Sequence, residues 1–485
     1  MTSNHGGPAW DEPGRYGEPG PGGRGLAVAV IGGGASGALA VVHLLRAAAG
    51  TDCPLRIALI DRLGRHGLGQ AYSTTCPEHL LNATADRMSA VAGDPGHLSR
   101  WAAAAGLPPR GFLPRAAYGR YLLETLDDAE RQAAPQSRVT RLTDGVLAIR
   151  TNPAGRPLRV VLDGGCLDAD IAILATGNPP PGSPVAVPDS PRYIADPWAP
   201  GALAAASDGS PVVILGTGLT MVDVALAVTR GRPGTTVHAV SRHGLLPRAH
   251  SGQPVAAAPL WLPALADSRG PVRLGDLLWQ VRAAMTSRPQ RWEDVVDALR
   301  PQVPGLWQRL PDGDKRLFLR HVARYWEVHR HRMPPATARQ VTALRCTGRL
   351  SVQAGRVTSV TGHGAGLRVS IEQDGRVTEL EAGWLVNATG PGADVTRAPD
   401  PLLRDLLATG LARPDPLRLG IEASPEGAVL GAGGMPSRTL FTLGPPLRGA
   451  RYETTAIPEI REQAATLAGH LVAALHARQR PGSAA

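Results

Sequence analysis

The chain has 485 residues, 43% of them apolar, and a formal net charge of +10. This length exceeds one ordinary core and predicts two domains, and the apolar fraction excludes the disordered class. The charge is not a nucleic-acid signature, because Lys315 is the one lysine and the arginines form no like-charge run and no aromatic–basic interleaving.

Residues 1–24 are polar and rich in glycine and proline, which predicts a disordered leader. The apolar stretch LAVAVIGGGASGALAVVHLL at 26–45 is long enough for a membrane anchor. Its central glycines predict a strand, a turn and a helix instead, so the chain is expected to be cytoplasmic and free of the membrane. Gly32-Gly33-Gly34-Ala35-Ser36-Gly37 satisfies G-x-G-x-x-G. Gly32 permits the tight turn, Gly34 lets backbone approach a pyrophosphate, and Gly37 lets the helix pack close to its strand. The helix N-terminus then offers unpaired N–H groups to the anion. A second strand, LRIALID, ends in Asp61, placed to accept hydrogen bonds from ribose hydroxyls and to disfavour a 2′-phosphate. Residues 67–90 read as a long loop with short helical pieces, a length that is usually functional.

The four cysteines, Cys53, Cys76, Cys166 and Cys346, have neither C-x-x-C nor metal-ligand spacing. Free thiols in a reducing compartment are expected, no metal site, and no dithiol–disulfide reductase chemistry. Residues 138–177 read as a meander of short antiparallel strands closing on ILATG. The plan then recurs. SPVVILGTGLTMVDVALAVTR at 210–230 carries Gly216-Thr217-Gly218, with Met221 in place of the third glycine, which sets that helix slightly farther from its strand. The next strand ends in Ser241-Arg242-His243 where the first unit has Asp61, and Arg242 suits a 2′-phosphate. The two turns are therefore expected to hold different nucleotides, FAD in the first and NADPH in the second.

Residues 271–333 form a helical stretch with no counterpart in the first half. On one helix His321, Tyr325 and His329 share a face, with Arg332 nearby. This stretch reads either as a substrate lid or anion clamp, or as a core-packing helix with a solvated basic edge. A second meander, 348–390, closes on LVNATG, and the glycine of each Ala-Thr-Gly allows a sharp exit at the carboxyl edge of the sheet.

With these repeats the sequence resembles the flavoproteins that carry two dinucleotide-binding domains. GQAYSTTCPEHLLNATADRMSA, FLRHVARYWEVHRHRMPP at 318–335 and RYETTAIPEIREQA at 451–464 are similar to one bacterial branch of FAD/NAD(P)-binding proteins. That branch often has tryptophan where this chain has Tyr452. The resemblance implies an α/β fold of two Rossmann-like domains, each with a β-meander. The NADPH domain, 206–385 with a helical insertion at about 271–333, would be inserted into a discontinuous FAD domain, 25–205 and 386–485.

It implies that Ser36, Arg62, Gln70, Tyr72, Asn82, Met88, Thr176, Gly177, Gly444, Thr454 and Thr455 surround FAD. Thr220, Thr389 and Gly390 join Gly216, Gly218 and Arg242 in the nucleotide sites. Pro458 fixes the start of a C-terminal helix aimed at the flavin, because proline is accepted in the first turn. The implied activity is an FAD-dependent, NADPH-consuming monooxygenase that uses molecular oxygen on a small molecule, such as an amine or amino acid. Two alternatives stay open: a reductase passing electrons to a quinone or partner protein, and a flavin-binding sensor without turnover. No catalytic base, substrate or oligomeric state follows from the residues.

Overall fold

Val-, Ile- and Leu-rich runs without alternation form parallel strands buried on both faces, and β1 (Leu26–Ile31) is buried along its whole length. A computed structural model describes residues 25–479 except 52, 153–156, 252–269, 271, 288–291 and 393, so the expected leader lies outside the described residues. After β1 come α1 (Ala35–Ala48) and β2 (Leu55–Ile60), parallel to β1 in the register Leu26 opposite Leu55. The excursion beyond β2 holds the single turns Gly69–Tyr72 and Ala85–Arg87, and α2 (Arg115–Arg131) follows. β3 (Arg138–Leu142) then pairs parallel with β2. β4 (Val146–Thr151), β5 (Leu158–Leu162) and β6 (Cys166–Ala169) make a small antiparallel sheet. β7 (Ile171–Leu174) returns to the other side of β1.

The second unit contains β8 (Tyr193–Ile194), β9 (Val212–Leu215), α3 (Leu219–Thr229) and β10 (Val237–Ser241). Next come α4 (Leu274–Ser287), α5 (Trp292–Leu299), α6 (Val303–Arg309), α7 (Asp312–Leu317), a π-helical turn Phe318–Val322, α8 (Ala323–Arg330) and α9 (Pro335–Cys346). β11 (Leu350–Ala354) pairs parallel with β10, and the antiparallel β12 (Arg356–His363), β13 (Gly366–Gln373) and β14 (Arg376–Ala382) lead to β15 (Trp384–Asn387). The chain finishes with α10 (Pro401–Ala408), β16 (Ala428–Leu430), β17 (Pro436–Thr442) and α11 (Ile457–Gln479). The main sheets run β16-β17-β7-β1-β2-β3 and β11-β10-β9-β15-β8.

Two sequence expectations shift. The first strand of each expected meander, β3 and β11, joins the parallel sheet instead, which leaves three-stranded meanders. The crossings between sheets also differ from 205/206 and 385/386. Tyr193–Ile194 already pairs with β15 in the second sheet, and the return follows Asn387. A strand belongs to the sheet whose backbone groups satisfy its own.

Each sheet is covered on both faces. α1, α2 and α11 pack Leu39, Leu45, Tyr118, Tyr121 and Leu467 against one face of the first sheet. The first meander and α10 cover the other face with Leu162, Leu167 and Leu402. α3 and α9 cover one face of the second sheet, and its meander covers the other. The helical insertion has its own core around Val295, Leu299, Leu306 and Trp307. Tyr452, the tyrosine that departs from the branch, enters that core by stacking on Trp307 with ring centroids 4.7 Å apart. Among the described residues no helix is long and apolar enough to cross a membrane.

Candidate functional site

The first turn is shaped by what glycine lacks. Gly32 has φ +104°, and a Cβ there would lie 2.3 Å from the Ala175 carbonyl oxygen. A Cβ on Gly37 would lie 2.0 Å from the Gly32 oxygen, so strand and helix touch through backbone. Gly34 caps α1 with no side-chain hydrogen bond, whereas Asp400 caps α10 by accepting from the Leu403 N–H. The first N–H groups of α1 thus keep their capacity for an anion. Asp61 ends β2 beside Gly33, and its Oδ1 accepts the Leu63 and Arg65 amides at 3.0 Å each.

The second turn reproduces this register. Gly216 has φ +111°, and a Cβ would meet the Ala388 oxygen at 2.4 Å. Gly218 caps α3 without a side chain. Gly32 N–H donates to Ile60 and Gly216 N–H to Val240, so the residue matching Asp61 is Ser241, and Arg242 matches Arg62. Ser241 Oγ lies 2.8 Å from Thr217 Oγ1 and accepts the Gly244 amide, a local copy of the Asp61 turn without its charge. Arg242 is exposed just beyond it, and no described carboxylate pairs with it.

A third group closes the first turn. Gly444 has φ +74°, and a Cβ there would stand 2.9 Å from Ser36 Oγ. Its carbonyl accepts from Thr454 Oγ1 and its amide donates to Gln463 Oε1, and Gln463 donates in turn to Thr454. This triangle fixes the start of α11 against α1. Thr454 is fully buried and Thr455 is exposed.

Of the expected FAD-site residues, the structure gathers Gly32, Gly34, Ser36, Gly37, Asp61, Thr176, Gly444 and Thr454 around this turn. Gly177, at φ +72°, turns the chain out of β7. Gln70 lies on the single turn that touches Gly34, and donates to Asp196 at 3.3 Å. Tyr72 packs against Tyr118 with the rings tilted by 52°, and burial pushes its hydroxyl pKa well up. Tyr118 donates to the Met88 carbonyl, and the Asn82 carbonyl accepts from His250. Arg62 is exposed. In the second unit Thr389 donates to Asn387, Gly390 has φ +85°, and Thr220 lies in the first turn of α3.

The insertion behaves differently from its expected role. His321 and Tyr325 are exposed, His329 packs edge-on against Trp292, and Arg332 is committed to Asp297. The π-helical turn shifts the face between His321 and Tyr325. The inward residues are Trp326, Arg330 and His331, which meet Glu453 just before α11. Trp326 Nε1 donates to Glu453 Oε1 at 3.0 Å, and Arg330 Nη2 stands 3.1 Å from Oε2. Burial works to raise the Glu453 pKa, but Arg330, His331 and the Trp326 hydrogen bond hold it below the usual carboxylate value. Burial, reinforced by Arg330, lowers His331 to about 4.

Sequence reasoning also missed the contact between the units. Arg115 Nη2 donates to Asp223 Oδ2 at 2.6 Å, and His79 Nε2 donates to the Asp223 carbonyl. Only the fold brings these positions together.

Both turns therefore have the side-chain-free cradles and uncapped helix ends that suit a dinucleotide. Residues 29–179 match the FAD-NAD(P)-binding family model. The structure superimposes on reduced ornithine hydroxylase from Pseudomonas aeruginosa, covering 93% of this chain and 100% of that one, with TM-score 0.62 and 13% identity. L-lysine 6-monooxygenase from Pseudomonas syringae gives TM-score 0.62 at 15% identity, over 93% of this chain and 100% of that one. The chain has the fold of flavoproteins with two dinucleotide-binding domains. An ornithine N-hydroxylase from Kutzneria sp. 744, solved with reduced FAD, NADP+ and L-ornithine, matches with TM-score 0.62 and 14% identity over 94% and 100% of the two chains. A bacillithiol disulfide reductase from Staphylococcus aureus matches less well, with TM-score 0.55 and 13% identity over 93% and 99%. No curated protein matches by sequence.

Proposed function

We propose that this flavoprotein-fold chain is an FAD-dependent, NADPH-consuming monooxygenase that N-oxygenates a small amine or amino acid. The balance is substrate N–H, O2, NADPH and a proton going to N–OH, NADP+ and water. FAD, when bound, supplies the electron transfer and oxygen chemistry. The protein's part is to bind, orient and exclude water. Gly32, Gly34 and Gly37 present backbone and the uncapped end of α1 to the pyrophosphate, and Asp61 Oδ2 is left for ribose hydroxyls. Gly216, Gly218 and the end of α3 would hold the NADPH pyrophosphate, with Arg242 reaching its 2′-phosphate. The start of α11, locked by Gly444, Thr454 and Gln463, would offer its N-terminus to a bound flavin and favour negative charge there by about 0.3–1 kcal/mol.

The observation that carries an oxygenase over a disulfide reductase is the state of the thiols. The four cysteines form no disulfide with one another, and Cys53 and Cys76 lie in separate loops, Cys166 on β6 and Cys346 on α9. Cys76, in the excursion near the first turn, is pushed up to about 11 by burial and by its contact with Glu78, which removes the thiolate that exchange chemistry needs. The holoenzyme supplied with NADPH and 18O2 should place one labelled oxygen in an N-hydroxylated product of a panel containing L-lysine, L-ornithine and putrescine. Rapid reduction of a quinone or disulfide with no label in any product would establish the reductase instead.

A further inference from the structure

The turn that follows β10 and the insertion's α8 meet beside the second nucleotide turn. Ser241, which stands where the first unit has Asp61, touches Thr217 of that turn through its hydroxyl at 2.8 Å. The chain then doubles back at Gly244, at φ +58°, where a Cβ would lie 2.8 Å from the Ala354 amide nitrogen. The Gly244 N–H donates to the Ser241 carbonyl and hydroxyl, so Arg242 and His243 form the tip of a tight turn, and both are exposed. Tyr325 of α8 stands against that tip. Its ring centroid is 6.2 Å from that of His243, with the planes tilted by 39°.

An exposed aromatic ring taken singly needs no explanation. This one sits on a helix fastened to both units. The Arg248 N–H donates to the Val328 carbonyl at 2.9 Å, and the Met333 N–H to the Arg248 carbonyl at 2.7 Å. The residue after Tyr325, Trp326, is bonded to Glu453 just before α11. Tyr325, 52% exposed, is therefore held out on a braced element with half of its surface open. In a unit of this kind the Ser241 position faces a nucleotide's ribose, so the base on that ribose falls within reach of the next two residues. A flat base stacked between two rings needs them about 7 Å apart, twice the contact distance of carbon atoms. The wedge of His243 and Tyr325 falls about 1 Å short of that, a gap that exposed side chains close by rotation.

We propose that His243 and Tyr325 form a cleft for the adenine base of the second nucleotide, so that the helical insertion supplies one wall of the NADPH site. The inference rests on the NADPH half of the function proposed above and divides its recognition in two. Arg242 reads the 2′-phosphate, whereas the ring pair holds the base that NADP+ and NAD+ share.

Calorimetric titration of the oxidised holoenzyme with NADP+, NAD+ and adenosine 2′,5′-bisphosphate tests this without turnover. Tyr325→Ala should weaken all three by a common factor of about ten, the order of a lost base–aromatic stack. Tyr325→Phe keeps the ring and should bind like wild type, and His243→Ala should act in the same direction as Tyr325→Ala with a smaller factor. Arg242→Ala should instead weaken NADP+ and the bisphosphate and leave NAD+ unchanged. Both rings are exposed, so the melting temperature of each variant should match wild type. NADP+ binding that Tyr325→Ala and His243→Ala leave intact overturns the cleft and spares the NADPH reading. A loss confined to NADP+ and the bisphosphate also overturns it, because the rings would then serve the phosphate. Failure of wild type to bind any of the three would overturn the NADPH reading and the cleft together.

Discussion

Gly32 faces the Ala175 carbonyl and Gly216 faces the Ala388 carbonyl, at nearly the same distance and in the same strand register. The two nucleotide units thus share the backbone solution to one problem: bringing a turn, a helix end and the last strand of a sheet into contact. They diverge in side chains. The first unit sets Gly37 against its turn, the second buries Met221; the first ends β2 with Asp61, the second ends β10 with Ser241 and an exposed Arg242. In the function proposed above, the repeated geometry is what holds a dinucleotide and the divergent positions are what select which one.

The largest effects should come from attacking the shared geometry. Gly32→Ala forces a Cβ into backbone at a left-handed φ, and should purify without FAD and with a sharply lower melting temperature. Gly216→Ala meets the same obstacle, but should retain FAD while the KM for NADPH rises at least about tenfold. Flavin absorbance and NADPH kinetics separate the two, and loss of FAD from both would break the assignment of one nucleotide to each turn.

Met221 offers a cleaner contrast of smaller size. It is fully buried, so Met221→Ala should cost about 2–5 kcal/mol of stability, measured by denaturant unfolding, with NADPH preference unchanged. Gly37→Ala should instead weaken FAD binding, because its neighbour is the Gly32 carbonyl itself.

The smallest expected effect concerns discrimination alone. Arg242→Ala should lower the ratio of NADPH to NADH efficiency by about ten- to a hundredfold, corresponding to about 1.5–3 kcal/mol for a charged hydrogen bond. It should not move the melting temperature, since Arg242 is exposed. An unchanged ratio would transfer 2′-phosphate recognition to another residue.

The glycine turns, the paired Ala-Thr-Gly strands and the helical insertion were legible in the sequence because each is a local pattern. Ser241 as the counterpart of Asp61 was not, because strand register is set by partners in the sheet, and one residue of offset hides in any alignment by eye. The roles of β3 and β11 failed to show for the same reason: short alternating strands read alike in a meander and at a parallel edge. In the insertion, the basic cluster was visible but its inward member was not. Helical periodicity selects His321, Tyr325 and His329, with Arg332 nearby in the basic cluster, whereas packing against Glu453 and the π-helical turn select Arg330.

The Arg115–Asp223 contact governs how the two units can move. Its carboxylate is buried, with burial pushing its pKa up against the pull of Arg115, and His79, kept neutral by burial, braces the same residue through Asp223's backbone. Swinging the second unit away from the first would break the Arg115 ion pair and the His79 hydrogen bond together. The two nucleotide turns are therefore tied together by a buried ion pair that any parting of the units would have to break.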